Sequence, residues 1–181
     1  MSLRGPRLPG GGAVVLLAVL VAVLLRGCGE ETTERGDGER EDADRRAGVL
    51  APVVDVVDGD TIEVGLEGRV EDVRYIGVDT PESVAPGQPV ECFGVRASEF
   101  NAELVAGEQV RLAFDAERRD VYGRLLAYVY VGERFVNVEL LREGFARTLT
   151  IAPNDSFAER FARVEQAAGR AGRGLWGECG P

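Results

Sequence analysis

Four short stretches of the chain hold side chains able to do chemistry: Asp58-Gly59-Asp60-Thr61, Arg74, Asp79-Thr80-Pro81-Glu82, and Asp120 to Arg124. They offer carboxylates, hydroxyls and guanidiniums. The 181 residues include no His, and all 21 basic side chains are Arg. That excludes an imidazole base, a Ser–His or Cys–His pair and a Schiff-base lysine. Three Cys with no CxxC pair cannot assemble a four-ligand structural zinc site or an iron–sulfur cluster within one chain. What remains is carboxylate and guanidinium chemistry, with any hard cation the oxygens hold; Ca²⁺ and Mg²⁺ suit such donors.

Each stretch also has a plainer reading. Asp58-Gly59-Asp60-Thr61 falls between two apolar runs, where Asp and Gly are common for conformational reasons alone. Pro81 forces an extended exit after Asp79, and a polar strand end needs no further purpose. Arg74 is harder to dismiss, because an arginine in the middle of Val-Arg-Tyr-Ile-Gly-Val needs an anion if it faces inward. Asp58 or Glu82 would serve as a purely structural partner. Arg124 alone would be an ordinary solvated charge at a turn. The net charge of −10 argues against a nucleic-acid partner, since non-specific affinity comes from basic side chains displacing counterions. A divalent cation, or a few Arg gathered in one cleft, would reverse that locally.

The elements that must position these residues are legible from periodicity. Val53 to Val57, Thr61 to Val64 and Val73 to Val78 are β-branched or alternating runs split by Asp58-Gly59-Asp60 and Glu67-Gly68-Arg69, a meander of three strands. Val110 to Phe114 and Leu125 to Val131 read as two more. Phe93, Ala97, Phe100 and Leu104 recur at helical spacing and stop at Gly107. Asn137 is placed to cap a helix running to Gly144, with Val136 and Leu141 as a hydrophobic staple. Ser156 and Glu159 form a capping-box pattern before Phe157, Phe161, Val164 and Ala168. The order β-β-β-α-β-β-α-α predicts an α+β, mainly β domain: a five-stranded OB-fold barrel with three helices over residues 49–181.

Two segments precede it. Arg4 and Arg7, thirteen apolar residues from Ala13 to Leu25, and Leu25-Arg26-Gly27-Cys28 read as a signal peptide over residues 1–28. Its apolar stretch, about 20 Å as helix, is too short for a bilayer core of about 30 Å. The ending resembles a lipoprotein lipobox, with Arg26 atypical at its place and Cys28 the expected site of lipidation. Residues 29–48 read as an acidic disordered tether: Glu30 to Arg46 holds eight acidic and four basic residues and no hydrophobe larger than Ala. Export is the expectation, to the outer face of the cell membrane as a lipoprotein or to the extracellular space, with membrane contact only through the lipid.

Taken together, DGDT at 58–61, VRYIGVDTPE at 73–82, Phe93-Gly94 with its helix, DVYGRLLAYVY at 120–130, VNVELLREGFA at 136–146 and GLW at 174–176 resemble the staphylococcal nuclease (thermonuclease) family, from about Pro52 to Trp176. The resemblance implies an OB-fold hydrolase, a monomer that uses Ca²⁺ to cleave phosphodiester bonds in single- or double-stranded DNA and in RNA. Asp60 and Asp79 match its metal-binding carboxylates, and Thr80 the residue lending a backbone carbonyl to the ion. Glu82 matches the carboxylate that orients or deprotonates the attacking water, and Arg74 and Arg124 the arginines that grip the scissile phosphate. A non-catalytic OB-fold binding module is the competing reading, and a structural envelope lipoprotein a third. Retention of all five charged residues favours the enzyme.

The chain departs from the family around that centre. Leu149 and Ile151 stand where the archetype has nucleotide-contacting tyrosines, the lysine-rich loop is the uncharged stretch Ser83 to Val90, and Val121 replaces a lysine. From Val49 to Pro181 there are 14 Arg against 23 Asp plus Glu, a net of −9. Lipidation of Cys28 would leave Cys92 and Cys179 as an even pair. An oxidising exterior favours a bridge between them over two free thiols.

Overall fold

The computed structural model describes residues 48–83 and 89–179. The expected leader with Cys28, and the tether up to residue 47, lie outside these residues, as do residues 84–88. The elements are β1 (Val49–Val56), β2 (Thr61–Leu66), β3 (Arg69–Tyr75), β4 (Gly77–Asp79), α1 (Gly94–Val105), β5 (Gln109–Ala113), β6 (Leu125–Val131), β7 (Arg134–Phe135), α2 (Val136–Arg142), β8 (Arg147–Leu149), α3 (Ala158–Arg170) and α4 (Leu175–Glu178). Antiparallel neighbours run β3-β2-β1-β5-β6-β7. A parallel pairing of β3 with β6, Val73 opposite Leu125 through Tyr75 opposite Ala127, closes β1, β2, β3, β5 and β6 into a barrel. This is the OB-type five-stranded barrel expected from the order of elements.

Strands facing only the barrel interior alternate, whereas β6 is buried along nearly its whole length because α2 lies against its outer side. Ile62, Val64, Val73, Val110, Leu112, Ala127 and Val129 fill the interior. Tyr128, Phe135, Phe157 and Phe161 form a cluster of tilted, edge-on and stacked rings, with centroids 4.7 to 6.1 Å apart, that seats α3. No helix among the described residues is long and apolar enough to cross a membrane.

Three local expectations fail, each for a tertiary reason. The third strand does not run on to Val78: Gly77 adopts φ 78° with the buried Phe161 ring against its Cα, so a Cβ there would lie 2.5 Å from a ring carbon. The chain leaves the barrel at that point, and β4 pairs with β8, Asp79 opposite Arg147. Asn137 is not a cap but lies inside α2, whose first residue is Val136, and that leaves no staple at this helix start. Its side chain accepts from Val129 N–H at 2.9 Å and donates to the Ile76 carbonyl at 2.8 Å. Nor does Ser156 cap α3: its hydroxyl donates to Asp115, 41 residues away, at 2.9 Å, and the helix begins only at Ala158. A fourth helix of one turn, α4, forms at Leu175–Glu178.

Cys92, just before α1, is bonded to Cys179, just after α4, across a sequence separation of 87. Closing a loop that long should stabilise the domain by about 4 kcal/mol in the chain-entropy account. Urea titration of the protein with and without reductant should show a loss of that order, and identical unfolding free energies would refute it.

Candidate active site

The turn between β1 and β2 is closed by its own residues. Val57 and Asp58 N–H both donate to the Thr61 carbonyl, and Asp60 N–H donates to Asp58 Oδ1 at 2.9 Å. This leaves Asp60 aimed inward, only 3% exposed. One of its oxygens accepts from Thr80 N–H at 2.8 Å and Thr80 Oγ1 at 3.0 Å; the other accepts from Thr61 Oγ1 at 3.3 Å and meets the Arg74 guanidinium. A carboxylate held by this many donors has no rotational freedom left.

Arg74 sits on β3 opposite Thr61, with a side chain only 16% exposed. It bridges Asp60 and Asp79, the latter at 2.7 Å. Asp58, one partner a purely structural reading supplies, adds an electrostatic attraction. Burial pushes the guanidinium below its usual value, while the Asp79 and Asp58 carboxylates push the other way, and it keeps its charge. Burial likewise raises the Asp58 carboxyl, against the opposing pull of Arg74.

Because β3 and β6 are parallel neighbours, the residue just before β6, Arg124, comes alongside Arg74. Arg124 is not a free turn charge. Its Nε donates to Asp120 Oδ2 at 2.7 Å, while Arg124 and Tyr122 N–H donate to Asp120 Oδ1 at 3.0 and 2.9 Å. Burial alone would raise the Asp120 carboxyl; the hydrogen bonds from Arg124 and Tyr122 outweigh it and hold it below the usual carboxylate range. The pairing engages one of the five guanidinium N–H groups.

All six residues singled out from sequence line one open cleft of about 210 Å³: Asp60, Arg74, Asp79, Thr80, Glu82 and Arg124, together with Asp58, Thr61 and Pro81. Among the described residues no set of three or more His, Cys, Asp or Glu gathers as a self-sufficient metal cage. The fit to a cation therefore rests on the donor type. The immobilised Asp60 and the half-exposed Asp79 present hard oxygen, which suits Ca²⁺ completed by a backbone carbonyl and water.

A second cavity of about 570 Å³ adjoins the cleft, sharing Arg74 and Arg124, with Val121, Tyr122, Leu149 and Ile151 in its largely apolar wall. Leu149 and Ile151 are 40% and 65% exposed. The segment that carries Ile151 is fixed by Asn154, which exchanges side-chain hydrogen bonds with the Glu117 backbone at 2.7 and 2.9 Å.

Two positioning residues escape a reading of sequence alone. Asn101 on α1 donates to the Asp58 carbonyl at 2.8 Å and accepts from Tyr75 at 3.0 Å. Burial raises the Tyr75 phenol far enough that it stays protonated and able to donate. Asn101 thus ties a helix to the turn that aims Asp60. Asn137 does the same for the β3–β4 junction that aims Asp79. For Asn101 the advance signal is an Asn beside Phe100 and Leu104 in a helical pattern, whereas Asn137 reads in sequence as a helix cap.

A small β-barrel whose one cleft is lined by four carboxylates and two arginines defines a class of phosphate-handling OB-fold proteins. Residues 72–178 match the family described as staphylococcal nuclease homologue. The chain is 33% identical to the thermonuclease of Staphylococcus hyicus over 91% of its own length and 95% of that protein's. It is 38% identical to the thermonuclease of Staphylococcus intermedius, over 90% and 95%, and 39% identical to endonuclease YncB of Bacillus subtilis, over 82% and 71%. The chain belongs to the staphylococcal nuclease family.

Asn101→Ala and Asn137→Ala should each cost about 2–3 kcal/mol, because each strands two polar groups, at least one of them a backbone group. Chemical denaturation of the two variants checks this; a loss under about 0.5 kcal/mol, the range of an ordinary surface change, would show that the bonds position nothing.

Proposed function

We propose that the protein is an exported, Ca²⁺-dependent nuclease that hydrolyses phosphodiester bonds in DNA and RNA. The observation that carries the reading is the convergence of Asp60, Asp79, Glu82, Arg74 and Arg124 on a single polar cleft. A scaffold or binding module has no physical need for all five in one place. The Cys92–Cys179 disulfide supports an oxidising compartment outside the cytoplasm. Attachment through a lipidated Cys28 is part of the proposal.

A phosphodiester repels an anionic nucleophile, and negative charge accumulates on its equatorial oxygens in the transition state. Fixed positive charge that strengthens with that accumulation lowers the barrier. Arg74 and Arg124 provide it, and their planar donors match two phosphate oxygens at once, which an ammonium cannot do. Pairing with Asp60 and Asp79 orients the Arg74 guanidinium, and pairing with Asp120 orients that of Arg124, so little reorganisation accompanies reaction. Glu82, in the wall of the same cleft, would hold a water in line with the phosphorus or accept its proton. Asp60 and Asp79, with the Thr80 carbonyl, would hold Ca²⁺, which when bound polarises a phosphate oxygen and neutralises its charge.

Aliphatic Leu149 and Ile151 cannot stack on a base as an aromatic ring does, a contact worth about 1–3 kcal/mol per base. The wall they form and the acidic surface both favour fast release over tight capture, so KM should be high and rise with salt.

Arg74→Ala, Arg124→Ala and Glu82→Ala should each lower kcat by about a hundredfold or more while the protein stays folded. Asp60→Ala and Asp79→Ala should raise the Ca²⁺ concentration needed for half-maximal rate, with partial recovery in excess Ca²⁺. No His is present to limit the alkaline limb, so the rate should climb above neutral pH. Cleavage of single-stranded DNA in about 10 mM Ca²⁺, well above the weakest extracellular-site affinities, or in excess chelator decides the matter. A folded protein that cleaves nothing in either condition would leave the binding-module reading standing.

A further inference from the structure

Glu82 belongs to no strand or helix: it follows β4 and Pro81, yet the proposed chemistry needs its carboxylate held to a fraction of an ångström. Its backbone is fixed by residues nine to twelve positions further on. Glu91 N–H donates to the Glu82 carbonyl at 2.9 Å, and Glu82 N–H donates back to the Glu91 side chain, Oε2, at 3.0 Å. Both backbone polar groups of Glu82 are therefore taken up by one residue. Gly94, the first residue of α1, closes on the same peptide so tightly that a Cβ would lie 2.3 Å from the Glu82 carbonyl oxygen and 3.2 Å from that of Pro81. Its N–H donates to the Glu91 carbonyl at 3.0 Å.

The two residues between Glu91 and Gly94 are anchored in their turn. Cys92 is bonded to Cys179, with Cα atoms 5.8 Å apart. Phe93 is buried at φ 75°, with Phe145 5.2 Å from its ring centroid and the Arg96 guanidinium 4.2 Å above it. Arg96 also reaches Glu178 at 2.6 Å, so the residue next to Cys179 is tied to the same turn. A covalent bond and an ion pair thus converge on the segment that presents Glu91. A cross-link serving stability alone would gain as much from any site with similar loop length.

Building on the nuclease reading, we infer that Glu91, held in place by the Cys92–Cys179 disulfide, is the positioning residue for Glu82. An acceptor oxygen at this position is what the role requires, and the Glu91 side chain supplies it to Glu82 N–H. The disulfide then has two consequences, stability of the domain and alignment of the water-directing carboxylate.

The test compares Glu91→Ala, Glu91→Gln and the double variant Cys92→Ser/Cys179→Ser with the oxidised wild type, each shown by circular dichroism to be folded at the assay temperature. Glu91→Ala should lower kcat by about tenfold with KM unchanged, and speed amide hydrogen exchange at Glu82. Glu91→Gln keeps an acceptor oxygen and should stay within about threefold of wild type in both readouts. The double Ser variant should move in the direction of Glu91→Ala. In a Glu82→Ala background, Glu91→Ala should change the residual rate no further. Wild-type kcat and wild-type Glu82 exchange in Glu91→Ala would overturn the inference, as would an equal loss with and without Glu82. Should the wild type cleave nothing, the nuclease reading fails; the exchange arm still decides whether Glu91 and the disulfide fix Glu82.

Discussion

A guanidinium taken largely out of water has to be surrounded by negative charge or it will not stay there, and that requirement organises the cleft. Arg74 alternates on β3 with buried Val73 and Tyr75, so it faces away from the barrel interior and into the cleft. It therefore draws Asp60 from the preceding turn and Asp79 from the following strand. Asp60, itself buried, needs donors of its own and finds them in Thr61 and Thr80. One half-buried cation thus couples the β1–β2 turn, the end of β3 and the chain leaving β4. Removing a single member of such a set is costlier than the pair's net value suggests, since the others are left charged and dry. The same arrangement keeps charge oriented before substrate arrives.

Around this centre the fold supplies rigidity through polar bridges rather than added apolar bulk. Asn101 and Asn137 are both fully buried, and each joins a helix to backbone on an element beside the cleft. Each Asn satisfies two groups that would otherwise be orphaned, so the bridge is stable only in one geometry. The Phe161 ring against Gly77 turns the chain out of the barrel at the residue where Asp79 must swing toward Asp60. Barrel closure by β3 and β6 brings the second arginine alongside the first. Precision here comes from long-range contacts, as it must when the charged residues sit at strand ends and turns.

The periphery has a different character. A cavity next to the two arginines is walled by Leu149 and Ile151 and flanked by exposed Val121 and Tyr122, with Leu149, Ile151 and Val121 at positions where the family resemblance implies two tyrosines and a lysine. The net charge of −9 over residues 49–181 weakens long-range attraction of a polyanion. A hydrolytic centre that orients two guanidiniums among carboxylates, set in an acidic, aliphatic frame, separates transition-state stabilisation from ground-state capture, two quantities that need not be shared by the same residues.

Much of this was legible in the linear chain. Strand periodicity with its turns forecast the barrel, and the family resemblance supplied the roles expected of Asp60, Asp79, Glu82, Arg74 and Arg124, since each stretch taken alone also reads as an ordinary turn or strand end. Cysteine parity pointed to Cys92 and Cys179. What the chain alone did not disclose were choices among equivalent local partners. Asn137 and Ser156 carry the side chains of helix caps, yet a carbonyl 61 residues away and a carboxylate 41 residues away claim them. Arg74 had several carboxylates within reach, and only the folded β1–β2 turn selects Asp60. Nothing in the local pattern singles out Glu91, which the disulfide and Gly94 set against Glu82. Local pattern determines which groups seek partners, since that depends on the side chain and its immediate backbone. Which partner is met depends on distances between segments far apart in the chain, and those exist only after the barrel has closed.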